Sequence, residues 1–401
     1  MASPVDTSVK FFNENLPDAP VLNGVAGSLI GLLTACLVTG FGLRAAVSLV
    51  VSGGVATLTL ANEAKNANRL HTVVLVEGVT GALTALNGEQ KITFASPTEL
   101  KFATAAADGT ATGTITVKTA PAGWEKTFPG TNTAAFKSLD PTSLGSCLWV
   151  NDVGTLNANV RLYEAMTGVD AGTGAAPTVA ESSTGGFWTK STAANTNANR
   201  WDLFADSRSG YYCPVPASGG NTNFVGQASY FFGEVLAYKS GDAFAAAVFG
   251  AGSAPGTLVN YGAVLFGGQG SASSMSRFLR SYTGLGSAVS AYAAPMSGTL
   301  IQYSGADSQQ GTFPAPADGG LRLSKMYCTE AAVSGTTAIL RGEIPGVYYC
   351  PQTGLYTSFQ RGDMVAFGAK TIYTVYAGGN ANETSTAASG RGFVDITGPW
   401  R

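Results

Sequence analysis

Residues 121–174 read PAGWEKTFPGTNTAAFKSLDPTSLGSCLWVNDVGTLNANVRLYEAMTGVDAGTG. This stretch divides the chain. Upstream of it lie an arm, one short apolar segment and a set of closely spaced strand-like runs. Downstream, short aromatic runs alternate with Gly-rich turns as far as residue 401. Inside it, Cys147 to Val150 and Asn159 to Tyr163 flank Asp152-Val153-Gly154, turn residues between two β-rich runs, which predicts a hairpin. Trp124 and Trp149 stand on either side as large core candidates. The stretch carries no catalytic constellation.

Composition bounds the rest. The 401 residues suffice for two or three domains. Charged residues are only 12%, about half the usual share, and Gly at 52 is roughly twice as frequent as usual. With 10% aromatics this is a burying composition rather than a disordered one. Gly, Thr and aromatics together predict many short strands and tight turns. So little surface charge implies that part of the surface is covered by partners. The net charge of −2 and the lack of a basic patch leave no electrostatic footprint for nucleic acid. Five scattered cysteines (Cys36, Cys147, Cys213, Cys328, Cys350) and one histidine do not make a zinc site and read as buried thiols. No metal, cofactor or catalytic residue is expected.

In chain order, residues 1–24 read as an arm, with turn signals at Asp18-Ala19-Pro20 and Asn23-Gly24. Such an arm either docks on a neighbouring subunit or packs loosely. Val25 to Leu43 has no charge until Arg44, long enough to raise a membrane span, but its Gly, Ser and Thr content argues against one. No signal peptide is evident. Leu29, Leu33, Cys36 and Leu37 share one helical face, so a buried helix over Ser28 to Val38 is predicted, capped by Ser28 and ended by Gly40. Its apolar face is expected to pack on the β-module or on a neighbouring subunit. Arg44 to Lys118 contains five or six strands, including a hairpin turning at Gly53-Gly54. These predict a small barrel or sandwich. His71 sits in a strand-like run there and has no nucleophile or orienting partner in view.

The division that follows is an arm at 1–24, a helix with a small β-module at 25–120, and a larger Gly-rich all-β domain at 121–401. Thr119-Ala120-Pro121-Ala122-Gly123 is small and turn-prone, as a linker should be. Strands are expected at Trp201 to Phe204, Ser229 to Tyr238, Ala263 to Phe266, Leu300 to Tyr303, Leu321 to Cys328, Ala338 to Arg341, Val347 to Cys350, Thr371 to Tyr376 and Gly392 to Ile396. Asp242 to Phe249 reads as a short helix capped by Ser240. Tyr-Tyr-Cys-Pro occurs at Tyr211 to Pro214 and again at Tyr348 to Pro351.

Catalytic signatures are missing: no G-x-S-x-G, phosphate-binding loop or H-E-x-x-H is present. Paired carboxylates of a glycosidase are defined by geometry rather than spacing, so Asp152, Glu164, Asp170, Asp202, Asp206 and Asp242 stay as candidates, each with a plainer reading as a turn former or surface group. Arg361-Gly362-Asp363 matches an adhesion tripeptide, and Asn382-Glu383-Thr384 a glycosylation sequon. Phe187-Trp188 and Tyr211-Tyr212 are aromatic pairs that either stack on sugar rings or fill the core.

The run W-E-K-x-F-x-G-T-N-x-A-x-F-x-S beginning at Trp124, followed by Asn157 to Gly174, resembles a family of tailed-bacteriophage virion structural proteins. The resemblance extends to Asn87-Gly88-Glu89, Ala111 to Ile115, Trp201 to Asp206, Arg341 to Gly346 and Asp395 to Trp400. It implies a virion protein assembled in the bacterial cytoplasm, where thiols stay reduced. The expected role is tail- or baseplate-associated, through homo-oligomeric contacts and contacts with other virion proteins. Alternatives are a capsid decoration or head-fibre protein, an adhesin recognising host surface glycans, and a polysaccharide depolymerase. The resemblance implies no site residues.

Overall fold

The computed structural model describes residues 3–216, 227–253, 265, 275–295, 310–330, 338–377 and 390–401. The protein is mainly β, built from antiparallel sheets with one short helix and a few 3₁₀ turns.

The small module is an eight-stranded sheet over residues 41–119 that closes on itself. The long strand Phe41–Ser52 pairs through its first half with Thr116–Thr119 and through its second half with Val55–Leu60. A bulge between Ala46 and Ser48 lets one strand serve both halves. Gly88–Lys91 pairs with Val73–Glu77, and two residues later Phe94–Ala95 pairs with Glu99–Ala103, so the run 88–95 joins the two free edges. Leu49, Val51, Leu58, Leu100, Phe102, Val76 and Val117 fill the interior. The turn at Gly53 and Gly54 has φ of 58° and 78°, the positive pair that a tight two-residue hairpin requires. The expected module is present, as a barrel. His71 differs from expectation: it lies in a turn at φ 63° just before the strand, with its N–H donating to the Ile92 carbonyl at 2.9 Å.

The larger body has three layers. One is the five-stranded sheet Trp124–Pro129, Thr133–Ser138, Cys147–Asn151, Asn157–Tyr163 and Gly186–Thr189, which contains the expected hairpin. The others come from a single 13-stranded sheet folded over. Its first strands, Arg200–Ala205, Ser209–Val215, Tyr230–Glu234 and Ala246–Val248, form the middle layer. Trp201, Leu203, Tyr212, Tyr230 and Phe232 face the five-stranded sheet, while Phe204, Tyr211, Cys213 and Phe231 face the second half of their own sheet. Both faces are covered, so these strands read as continuous apolar runs rather than alternating ones. Ile339–Tyr349 is one strand where two were expected, and Ala246–Val248 is a strand where a helix over Asp242 to Phe249 was expected. Val248 and Ala247 sit back to back in the two cores, which only an extended chain allows. The expected strands at Leu300 to Tyr303 and, apart from Leu265, Ala263 to Phe266 lie outside the described residues.

Two expectations about the first forty residues are corrected. The arm is neither loose nor docked elsewhere: Lys10–Asn13 is the edge strand of the large sheet, paired with Arg200–Ala205. Phe11 and Phe12 drop into the two cores on opposite faces. The helix spans Ser28–Leu33 and continues as a π-helical turn over Thr34–Thr39. Its Leu29, Leu32, Leu33, Cys36 and Leu37 pack on Phe136, Leu148, Trp188 and Trp201, not on the barrel. The barrel interior is filled by its own strands, whereas the apolar face of the five-stranded sheet, with Phe136, Leu148 and Val150, needs a cover. Ser28 does not cap the helix. Gly27 holds the N-cap position, and the Asp152 carboxylate accepts from the Leu29 and Ile30 N–H groups at 2.7 and 3.1 Å.

No described strand of the barrel pairs with a strand beyond Pro121. The chain leaves the barrel with the Ala120 N–H on the Val73 carbonyl and reaches the helix with the Ala122 N–H on Cys36. Gly40 is wedged at this junction: at φ 70°, a Cβ there would stand 2.3 Å from the Thr119 carbonyl oxygen. Polar bridges tie the barrel to the larger body, among them Lys10 to Glu89 at 3.1 Å, Asn68 to the Asn15 carbonyl, and Lys91 to the Ile396 carbonyl.

Candidate functional site

The six candidate carboxylates are built into the frame. Asp152 is fully buried against Lys190 besides capping the helix. Burial pushes the Asp152 carboxyl up and the Lys190 ammonium down, each opposed by the other's charge. Glu164 pairs with Arg280, and Asp170 accepts the Trp149 indole N–H at 3.3 Å. Asp206 pairs with Arg401 at 2.8 Å and turns the chain by accepting the Arg208 and Ser209 N–H groups. Asp242 pairs with Arg341 at 2.7 Å. No two of the six share a hydrogen-bond partner among the described residues.

Asp202 sits in a cluster absent from the sequence reading. Arg361 donates to both Asp202 oxygens at 2.7 and 2.9 Å and to both Glu14 oxygens at 2.9 and 2.7 Å. Tyr373 and Gln227 complete the shell around Asp202 at 2.7 and 2.6 Å. Burial raises the Asp202 carboxyl against the pull of Arg361. Burial also acts to raise Glu14, but the hydrogen bond and charge of Arg361 outweigh it and leave Glu14 below the ordinary range. The cluster ties the arm, the middle layer and residues 361–373 into one piece. It also disposes of the adhesion tripeptide, because Arg361 is buried. The sequon at Asn382 lies outside the described residues.

Among the described residues no three or more His, Cys, Asp or Glu side chains cluster as metal ligands. No helix of the described residues is long and apolar enough to cross a membrane. All five cysteines are buried, and none forms a disulfide among the described residues. Of the aromatic pairs, Trp188, Tyr211 and Tyr212 are fully buried. Trp188 stacks on Tyr230 inside the core. Only Phe187 reaches the outer side, half-buried. An open groove of about 540 Å³ runs along residues 234–245. Its Arg208, Arg401 and Asp242 are engaged by Glu234, Asp206 and Arg341.

Two surfaces stand out among the described residues. The first is the outer side of the barrel's long strand, where Leu43 is 58% and Val47 71% exposed, with Val50, Val55 and Phe94 also exposed. The second is the outer face of the five-stranded sheet. Along Asn157–Tyr163, Ala158, Val160 and Leu162 enter the core, so Asn157, Asn159 and Arg161 line the opposite face. Trp149 pairs with Arg161 across the strands, and Phe187 pairs with Asn159. Trp149 is buried, as expected, on this side of the sheet. Asn157 Oδ1, Asn159 Nδ2 and Arg161 Nε are shut from solvent with no hydrogen-bond partner.

No known protein family matches the chain, and no curated protein is similar to it.

Proposed function

We propose that this protein is a structural component of a tailed-bacteriophage virion, tail- or baseplate-associated, acting through contacts between copies and with other virion proteins. The sequence resemblance around Trp124 to Gly174 supplies the context. The observation that carries the mechanism is the apolar row Leu43, Val47 and Val50 on the outside of the barrel. Exposed apolar residues gathered on one element mark a contact surface. Five of the six candidate carboxylates are held in ion pairs within the fold, which supports the same reading.

Two measurements test the proposal. Antibody-labelled negative-stain images of purified particles should place the protein on the tail or baseplate, and its absence from virions would overturn the reading. Sedimentation of the full chain should show an oligomer that Leu43→Lys with Val47→Lys dissociates. Both positions are exposed, so the fold should survive, and an oligomer unaffected by the pair of changes would remove the barrel face as the contact.

A further inference from the structure

We propose that the outer face of the five-stranded sheet, centred on Arg161, binds a sugar carrying a carboxylate. The inference is independent of the virion reading. It starts from a buried charge. Arg161 is only 5% exposed, yet no acidic group pairs with it among the described residues. Its described contacts are the Ser182 carbonyl, which accepts from Nη2, and the Trp149 ring, 5.7 Å from the guanidinium. Arg341 and Arg361 of the same body each have two carboxylates. A buried cation without a counter-ion is costly unless something neutralises it.

The neighbours specify what that something is. Asn157 and Asn159 stand on the same face at two-residue spacing, with an acceptor and a donor unpartnered. A hydroxyl both donates and accepts, so adjacent ring hydroxyls satisfy the pair. Phe187, half-buried beside Asn159, offers an apolar surface for the C–H side of a pyranose. A carboxylate then takes the guanidinium in place of the Ser182 carbonyl, because it brings a full opposite charge and two oxygens that match the guanidinium fork. Ser182 belongs to the connection 174–185, which crosses this face and is exposed along much of its length. The Ala176–Leu162 bridge and the Glu181–Arg277 pair hold the rest of the connection, and the ligand displaces the Ser182 carbonyl from Arg161.

Calorimetric titration of the full chain tests this with trigalacturonate, trisialic acid and neutral maltotriose. Either acidic trisaccharide should bind, identifying a uronate or a sialate source, and maltotriose should not. Arg161→Lys removes the fork geometry and should weaken binding about tenfold or more. Asn159→Ala, at a half-buried position, should also weaken it severalfold. Binding of maltotriose as strong as that of the acidic sugars would overturn the proposal. So would failure of both acidic probes at millimolar concentration, or full affinity in Asn159→Ala together with Arg161→Lys.

Discussion

Replacing Arg361 by Met tests how the arm and the two layers of the large sheet are joined. Arg361 makes five hydrogen bonds: two to Asp202, two to Glu14 and one to the Trp201 carbonyl. Asp202 is completely buried. Removing the guanidinium leaves two carboxylates facing each other with their shared counter-ion gone. Breaking a buried pair from one side costs about 3–5 kcal/mol, against about 0–1 kcal/mol for a surface pair. Urea unfolding followed by tryptophan fluorescence should therefore show a loss in the upper range at about pH 7. The pH dependence gives a second check. Without Arg361, burial holds the Asp202 carboxyl still further above its unfolded value. The folded state then binds the extra proton, and stability falls as pH rises through that window. The deficit should shrink as pH falls towards about 3, below which the carboxyl is protonated in both states. Adding Asp202→Asn and Glu14→Gln should recover most of the loss, since no buried charge then remains. A loss below about 1 kcal/mol, independent of pH, would refute the reasoning.

Two further changes probe the barrel's attachment. Lys91 is buried between the barrel and residue 396, and burial pushes its ammonium down to about 8, with Lys10 adding to the shift and Asp6 and Asp395 opposing it. The unfolded chain thus binds more protons between about pH 8 and the ordinary lysine value of about 10.4, so stability rises with pH across that window. Lys91→Met should flatten this rise and add about 2 kcal/mol at neutral pH, net of the Ile396 hydrogen bond; urea midpoints at both ends of the window measure it. Gly40→Ala would force a Cβ against the Thr119 carbonyl at positive φ and should cost about 1–3 kcal/mol. Gly31→Ala in the same helix meets nothing within 4 Å and should be neutral or stabilising by thermal denaturation.

Much was legible from local chemistry alone. Low charge, abundant Gly and alternating β-formers led to a mainly β chain with a small barrel or sandwich ahead of a larger body. Gly53-Gly54 and Asp152 to Gly154 marked their hairpins because turn chemistry acts over two to five residues. Leu29, Leu33, Cys36 and Leu37 marked the buried helical face because its period lies within the helix. What each element packs against was decided only by the tertiary structure. The helix could not announce that it covers the five-stranded sheet, since its cap, Asp152, lies 123 residues away. Lys10–Asn13 looks like any short arm until Phe204 and Asp202 supply its pairing partners. Asp202 looks like any surface carboxylate until Arg361 and Glu14 are brought to it across 159 and 347 residues of sequence. Charge, burial and pairing depend on distance in space, and sequence records distance only along the chain. For the same reason the alternation of Asn157, Asn159 and Arg161 could be read as a strand. That these three share an outer face with Trp149 emerged only once the strands were laid side by side.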